Sequence, residues 1–284
     1  MNNLTVNFIG AGRLGKAIAK LLNSSKQFTI QAIVNKTIDS AHEAVKFIGA
    51  GSAYAKLSAM PKTDVIFITT QDEFIGSIAK ELSTCNIIKE GTLVIHCSGS
   101  LSSEVLVTLK RKGANIASIH PIKSFADSKL SIKEFAGTYC AVEGDEEIMD
   151  VLQTIVKAIH GVPILISANE KAIYHAAGFF ACASLVTLYH HAKLCYQQAN
   201  IDQDIAHKII VNLMQSTLNN LNELQDENKA LTGPIKRGDT TILAKHLAAM
   251  KEKDQIDLYK ALAKATIDLT DHDDLLKNML KEKL

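Results

Sequence analysis

The first part of the chain, up to about residue 166, alternates short apolar runs with longer amphipathic stretches. The apolar runs, rich in β-branched residues, predict strands at residues 4–9, 29–34, 65–69, 92–96, 115–119, 138–142 and 163–166. The amphipathic stretches predict helices at residues 14–22, 40–47, 74–82, 103–110 and 146–159. Nearly all-apolar strands separated by helices are typical of a mostly parallel sheet that is buried on both faces. We therefore predict an α/β domain over residues 1–166.

Beyond residue 166 the apolar positions recur every three or four residues, which predicts helices alone. These helices are expected at residues 168–198, 202–224, 240–250 and 254–268, with the segment 231–239 as an irregular interruption. Asp239, at the end of that segment, is placed to cap the helix that follows. The pattern predicts an all-α domain over residues 167–284.

The longest apolar stretch of the helical half covers residues 172–188 and includes His175. It is short for a membrane span and contains an ionisable side chain. We therefore expect a buried helix and no contact with a membrane.

The composition narrows the possible partners and the compartment. The 284 residues carry 31 Lys plus Arg against 30 Asp plus Glu, a formal net charge of +1, which does not favour nucleic-acid binding. The five cysteines form no C-x-x-C pair and no Cys/His cluster with zinc spacing, so we expect neither disulfides nor a metal site. No basic segment followed by a cleavable apolar stretch opens the chain. The resulting expectation is a cytoplasmic protein that acts on a small molecule.

A glycine-rich sequence follows the first predicted strand and opens the first predicted helix. It contains Gly10, Gly12, Arg13, Leu14 and Gly15. In a dinucleotide-binding loop the first glycine permits a tight turn, the second permits close approach of a pyrophosphate, and the third lets the helix pack on the strand. The anion then binds the free N–H groups at the start of the helix. This context predicts a Rossmann dinucleotide-binding domain and not an ordinary glycine-rich turn.

The residues after the second predicted strand bear on the choice of cofactor. NAD enzymes usually carry Asp or Glu there, which accepts a hydrogen bond from the ribose 2′-hydroxyl. This chain has Asn35, Lys36 and Thr37 instead, so no carboxylate repels a 2′-phosphate and Lys36 supplies a positive charge. We therefore expect NADP(H) to be preferred over NAD(H), with Arg13 as a further contact to phosphate or adenine. The alternative for Lys36 is a solvated surface lysine.

Polar and small residues follow three later strands. These residues are Thr69 and Thr70, then Ser98, Gly99 and Ser100, and finally His120. Ligands of doubly wound sheets lie outside the carboxyl ends of the strands, so we expect the three groups on one edge. The threonines are candidates to line the nicotinamide ribose, the Ser-Gly-Ser segment to hold a substrate oxygen, and the histidine to act as acid or base. Alternatively, the serines cap the next helix and the histidine only ends a loop.

Three segments carry a resemblance to a known family: HCSGS at residues 96–100, HPIKSFAD at residues 120–127, and LTGPIKRGD at residues 231–239. With the glycine loop, the turn at residues 35–37 and the helical second half, they resemble Rossmann-like proteins with a C-terminal domain of unknown function 2520. The wider group is similar to the 6-phosphogluconate dehydrogenase-like superfamily, which includes β-hydroxyacid dehydrogenases, pyrroline-5-carboxylate reductase and prephenate dehydrogenases. The resemblance covers nearly the whole chain. It implies a nicotinamide-binding domain and a helical domain that forms a homodimer, and it names no substrate.

The resemblance also points to two residues near the start of the helical half. The β-hydroxyacid dehydrogenase branch carries a Lys there and, four residues later, an Asn, which handle the proton and the substrate oxygen. The matching positions are Lys171 and His175, which share one helix face. His175 departs from the branch's Asn and puts its chemistry in doubt, but two basic groups can still protonate and hold an oxyanion. The alternatives are a solvated Lys171 and a His175 satisfied within the core.

Arginine is scarce in this chain, which contains Arg13, Arg111 and Arg237 alone. Arg237 lies in the irregular segment of the helical half. It is a candidate to clamp a substrate carboxylate, because a guanidinium group forms bidentate contacts that Lys cannot form. The alternative is a local ion pair between Arg237 and Asp239.

Together these features favour an NADP(H)-dependent oxidoreductase that moves hydride to or from a small, carboxylate-bearing hydroxyacid, ketoacid or imine. The candidate catalytic residues are Ser98, His120, Lys171 and His175. A different class is a non-catalytic protein that binds NADPH as a sensor or interaction module. Within the enzymes, prephenate or arogenate oxidation is a further alternative, suggested by His120 and Pro121.

Overall fold

The computed structural model describes residues 3–284, which form two compact units, one ending at Cys182 and the other running from Ala183 to Leu284. The boundary predicted near residue 167 marks the place where strands give way to helices. The first compact unit extends further, because Lys171 and Tyr174 of the next helix hydrogen-bond to Ser118 and His120 of the sheet.

The first unit is built on a sheet of eight strands within the described residues. They are β1 (Leu4–Ile9), β2 (Phe28–Val34), β3 (Ser52–Tyr54), β4 (Val65–Ile68), β5 (Leu93–His96), β6 (Asn115–Pro121), β7 (Tyr139–Gly144) and β8 (Val162–Leu165). Their order is β3-β2-β1-β4-β5-β6-β7-β8. The strands from β3 to β6 in this order are parallel, whereas β7 is antiparallel to β6 and β8 is parallel to β7. The predicted mostly parallel sheet is confirmed, and β3 was missed because three residues show no alternation.

Helices cover both faces of this sheet. They are α1 (Arg13–Ser24), α2 (Ile38–Ile48), α3 (Asp72–Thr84), α4 (Ser128–Lys133), α5 (Met149–Ala158) and α6 (Lys171–Gly178). Successive strand residues face opposite sides, so Phe8 and Phe67 pack in one core cluster while Ile9 and Ile68 pack in the other. Phe8 and Phe67 are register partners on β1 and β4, and their rings stack with centroids 5.0 Å apart. Burial on both faces explains why these strands are almost wholly apolar.

One predicted helix has a different type. Residues 103–110 were expected to form an α-helix, and they form a 3₁₀ helix, Ser103–Lys112. Its buried residues are Ser103, Leu106 and Leu109, a spacing of three that matches the three residues per turn of a 3₁₀ helix.

The second unit is helical, as predicted. Its helices are α7 (Ser184–Gln198), α8 (Gln203–Leu224), α9 (Glu227–Ala230), α10 (Thr240–Ala249), α11 (Lys253–Asp268) and α12 (Asp274–Lys281). The side chain of Asp239 accepts hydrogen bonds from the backbone N–H groups of Thr241 and Ile242, which confirms its predicted role as the cap of α10. Leu243, Ile267 and Leu280 form a small core in this unit.

The apolar stretch at residues 172–188 is not buried, and that prediction was wrong. The chain passes from α6 through a π-helical turn, Phe179–Ala183, into α7, and Ile173, Phe180 and Val186 are 74%, 75% and 67% exposed. An apolar pattern predicts that a helix face packs against other apolar groups. It does not indicate whether those groups belong to the same chain. By length and composition the helical run Ala168–Gln198 also meets the criterion for a membrane span, which by itself is weak evidence.

Candidate active site

The glycine loop lies between β1 and α1 and is covered by the end of β4. Gly10 has a φ of +86°, which favours glycine, and its carbonyl oxygen accepts a hydrogen bond from Thr69 Oγ1 at 2.9 Å. A Cβ atom on Gly10 would lie 2.4 Å from Thr70 Cγ2, and one on Gly15 would lie 2.4 Å from Thr69 Oγ1. The two threonines therefore pack directly on the loop, whereas a Cβ atom on Gly12 would meet only the carbonyl oxygen of Gly10, 4.0 Å away.

Helix α1 begins with free hydrogen-bond donors. It starts at Arg13 after Gly12, no side chain caps it, and its first turn carries no acidic residue. Uncapped N–H groups and the positive end of the helix dipole suit an anion such as a pyrophosphate. Arg13 also joins the loop to the segment after β6, because its Nη1 donates to Ala126 O at 3.3 Å and its carbonyl oxygen accepts from Ser128 Oγ at 3.0 Å.

The turn after β2 separates three residues that were predicted to act together. Asn35 uses both ends of its amide: Oδ1 accepts from Ala11 N at 2.6 Å, and Nδ2 donates to Ser40 O at 2.9 Å. Thr37 caps α2 by accepting from Ser40 N. Lys36 is exposed, and its side chain makes no hydrogen bond or ion pair with any residue in 3–284. Asn35 and Thr37 thus shape the loop, which leaves Lys36 free to contact a ligand.

The Ser-Gly-Ser segment after β5 is tied to a residue that was not among the sequence-based candidates, Asp72 at the start of α3. Ser98 Oγ donates to Asp72 Oδ2 at 2.6 Å and accepts from the backbone N–H groups of Ser100 and Leu101. Ser100 Oγ donates to the same carboxylate oxygen at 3.0 Å. The Ser98 hydroxyl is therefore fully used within the protein. Its expected role toward a substrate oxygen stays a prediction, and the 3₁₀ helix that follows begins after Ser102 with no side-chain cap.

Two imidazole rings meet beside Gly99. The ring centroids of His120, on β6, and His175, on α6, lie 5.7 Å apart. A Cβ atom on Gly99 would lie 2.4 Å from His175 Cδ2 and 2.8 Å from His120 Nε2, so glycine leaves the room that both rings occupy. His120 Nδ1 is 2.7 Å from the hydroxyl oxygen of Tyr174, a second residue that was not predicted.

The protonation of this pair follows from burial and charge. Burial, and then the nearby charge of His175, lowers the pKa of His120 to about 4. Burial raises the pKa of Tyr174 to about 12. At neutral pH the His120 ring is thus neutral and Tyr174 keeps its proton. A neutral imidazole in contact with a phenol can pass a proton between its two ring nitrogens.

Lys171 is buried and makes contacts within the sheet. Its Nζ donates to Ser118 Oγ at 2.7 Å and to Ser98 O at 3.2 Å. Ser118 Oγ in turn donates to Glu143 Oε2 at 3.0 Å, and Glu143 also accepts from Ser103. Burial lowers the pKa of Lys171, while the charge of Glu143 opposes that effect. The alternative of a solvated Lys171 is therefore wrong.

His96, the last residue of β5, is fully buried beneath the Ser-Gly-Ser segment. The N–H of Ser98 donates to its Nδ1 at 3.1 Å, so the ring proton is on Nε2, which lies 3.1 Å from Ser102 O. Burial, followed by the charge of Lys171, lowers the pKa of His96 to about 4. The neighbouring Cys97 is also buried, which raises its pKa and leaves it an inert thiol.

Arg237 is an exposed residue of the second unit, in the turn before α10. Within residues 3–284 it forms no ion pair with Asp239, so that alternative is wrong. Its role toward a substrate stays a prediction. No group of three or more His, Cys, Asp or Glu side chains suited to a metal ion occurs among the described residues.

Comparison with known protein families identifies both parts of the chain. Residues 1–121 match a Rossmann-like domain, and residues 138–266 match a domain of unknown function 2520. The chain is a Rossmann-like protein with a C-terminal domain of unknown function 2520. No curated protein sequence matches it significantly.

Solved structures share the fold of this Rossmann-like protein along almost its whole length. A protein from Thermotoga maritima is 26% identical, with 98% of this chain and 99% of that chain covered and a TM-score of 0.70. A Bacteroides fragilis protein assigned as an NADP oxidoreductase is 20% identical, with 94% of this chain and 98% of that chain covered and a TM-score of 0.76. An imine reductase from Myxococcus stipitatus, in complex with NADP+, is 15% identical, with 98% of this chain and 94% of that chain covered and a TM-score of 0.64.

The buried imidazole of His96 predicts a loss of stability on acidification. Its pKa is about 4 in the folded protein and 6.5 ordinarily, so between these values the unfolded chain binds a proton that the folded protein does not. Stability is full above the higher value and falls as the pH drops toward the lower one, by about 3 kcal/mol from this residue. Urea unfolding at about pH 7 and about pH 4.5 measures the loss.

Two variants isolate this contribution. His96→Gln is expected to reduce the pH dependence by about 3 kcal/mol and to leave the part that His120 contributes, whereas His42→Gln, on the exposed side of α2, is expected to keep the wild-type dependence. Equal pH dependence in the wild type and in His96→Gln would contradict the assignment.

Proposed function

We propose that this protein is an NADP(H)-dependent oxidoreductase that transfers hydride to or from a small, carboxylate-bearing hydroxyacid, ketoacid or imine. The observation that carries the proposal is the shared location of two features. The glycine loop follows β1, and the two imidazoles and the phenol gather at the ends of β5 and β6, on the same carboxyl edge of the parallel strands. Ligands of doubly wound sheets bind at that edge. The NADP in the names of two proteins of similar fold supports the choice of cofactor.

Each group of residues in the site has its own role in this proposal. The free N–H groups of α1, beside the lightly packed Gly12, would hold the pyrophosphate, and Lys36 would contact a 2′-phosphate. A bound nicotinamide supplies the hydride chemistry. His175 exchanges a proton with the substrate, and the neutral His120 and Tyr174 relay it. Lys171 acts from beneath, through the Ser98 carbonyl and Ser118, and does not touch the substrate.

Turnover of NADPH tests the proposal directly. The full chain is incubated with NADPH and, one at a time, with small ketoacids and cyclic imines, and with NADP+ and hydroxyacids, prephenate or arogenate. We expect the cofactor absorbance to change with at least one of these compounds. A protein that binds NADPH and never changes its absorbance with any of them would instead support the non-catalytic sensor.

We expect Lys36 to determine the preference for NADPH over NADH. Its free ammonium group is expected to form a charge-assisted hydrogen bond with the 2′-phosphate, which NADH lacks. Lys36→Met should therefore weaken NADPH binding about tenfold and change NADH binding by less than about twofold. Fluorescence titration of each nucleotide measures both affinities.

The control for this prediction is Lys80→Met, an equal loss of charge on an exposed part of α3, which is expected to bind both nucleotides as the wild type does. A wild-type protein that binds NADH more tightly than NADPH would refute the cofactor preference.

We also propose that the protein is a homodimer that covers the apolar residues exposed on its helices. Ile173, Phe180 and Val186 are each at least two-thirds exposed, and Leu213 and Leu218 of α8 are about half exposed. Large apolar side chains that are exposed to this extent are typical of interaction surfaces. Light scattering is expected to give twice the mass of one chain. Phe180→Lys should give a monomer, whereas Phe74→Lys on α3 should leave the mass unchanged; a monomeric wild type would refute the proposal.

A further inference from the structure

The carboxylate of Asp72 differs from the other polar groups of the candidate site, because only one of its two oxygen atoms accepts hydrogen bonds from the protein. Its Oδ2 accepts two hydrogen bonds, from Ser98 Oγ at 2.6 Å and Ser100 Oγ at 3.0 Å. Its Oδ1 has no hydrogen-bond or ion-pair partner among residues 3–284, and the residue is exposed. Asp72 is thus a fixed negative charge with one oxygen available to a ligand.

Neither serine can donate to a ligand, because the hydroxyl protons of both are already committed, and only Ser100 has an oxygen left to accept. Ser98 donates its only hydroxyl proton to Asp72, and backbone N–H groups occupy its oxygen. Ser100 also donates its proton to Asp72, so its oxygen offers lone pairs alone. The side chains of this corner therefore accept hydrogen bonds and do not give them.

No cationic side chain among residues 3–284 contacts the Asp72 carboxylate. Lys171 is buried and its ammonium group is used by Ser118 and the Ser98 carbonyl. His120 is held as a neutral ring in contact with Tyr174. A ligand that approaches Asp72 thus meets a full negative charge and acceptor lone pairs. An anionic oxygen is repelled there, whereas a group with a positive charge and N–H donors is attracted.

We propose that Asp72 determines the substrate class by binding a protonated nitrogen at the reacting end of the substrate, that is, a protonated imine or its amine product. The inference rests on the proposed function and selects one of its substrate classes. In the reducing direction the carbon of the protonated C=N bond accepts hydride from NADPH, and the π electron pair becomes the lone pair of the nitrogen. The products are the amine and NADP+, and the amine then takes a proton from water or from His175.

The same group has a second consequence for the imine. A negative charge beside the nitrogen favours its protonated form, and a protonated C=N carbon accepts hydride more readily than a neutral one. Asp72 would therefore both bind the imine and activate its carbon toward hydride. A carboxylate elsewhere on the substrate, as in a cyclic imino acid, is compatible with this arrangement because it lies away from the reacting nitrogen.

Binding of two probes of similar shape tests the proposal on the full chain loaded with NADP+. Cyclopentylamine is a cation at neutral pH, whereas cyclopentanol is neutral. The wild type is expected to bind the amine more tightly. Asp72→Asn keeps the size of the side chain and an oxygen for the serines but removes the charge, so it should weaken amine binding about tenfold and change cyclopentanol binding by less than about twofold.

Glu73→Gln is the matched control, since Glu73 is an exposed carboxylate on the next residue of α3 and makes no contact with the serines. It should bind both probes as the wild type does. Three results would overturn the proposal: a wild type with no preference for the amine, an equal loss of both probes in Asp72→Asn, or the same loss of amine binding in Glu73→Gln.

NADPH titration of the same three proteins separates this proposal from the proposed function. Equal NADPH affinity in the wild type, Asp72→Asn and Glu73→Gln is expected. If the wild type fails to bind NADPH, the oxidoreductase proposal fails, while the preference for the amine is still measured on the unloaded protein. With 2-methyl-1-pyrroline as substrate, kcat/KM in Asp72→Asn should fall about tenfold at unchanged NADPH affinity. Unchanged kcat/KM would also overturn the role of Asp72.

Discussion

The buried ammonium group of Lys171 joins the start of α6 to the ends of two neighbouring strands. It donates to Ser118 on β6 and to the carbonyl oxygen of Ser98 just after β5, and Glu143 on β7 supplies the opposite charge through Ser118. A buried charge is tolerated when it is paired and fully hydrogen-bonded, and removing one partner is costly. This network therefore fixes α6 against the sheet. The two residues of α6 that approach His120, one turn further on, depend on it for their position.

The same network decides which charges face outward. Lys171 and Glu143 neutralise each other inside the protein, and burial keeps the imidazoles of His96 and His120 neutral at ordinary pH. The polar cluster at the ends of β5 and β6 is thus built largely from neutral groups above two opposite charges that the Ser118 hydroxyl bridges. Asp72 is the exception, and its charge is held in place by two hydroxyl groups and not by a cation.

The sequence pattern predicted the strands and the glycine loop of this protein well, because apolar runs and glycine spacing are properties of consecutive residues. The ends of β1, β4, β5 and β6 were placed within a residue or two, and they locate the polar cluster. The roles of Ser98 and Lys171 were not predictable in the same way. The direction of a hydrogen bond and the burial of a side chain depend on partners that are far away in sequence, such as Asp72 for Ser98. Asp72 itself had one usable signal, since it closes the polar run that follows β4.

The contacts that complete the candidate site also have a consequence for folding. Lys171 reaches Ser98 across 73 residues and Ser118 across 53 residues, and Thr69 reaches the glycine loop at Gly10 across 59 residues. Closing long loops costs entropy before the distant contacts form. A chain emerging from the ribosome can complete its nucleotide loop once residue 70 has been made, but it cannot assemble the imidazole pair until residue 175 has been made. The two parts of the site, close in space, are therefore separated in the order of their formation.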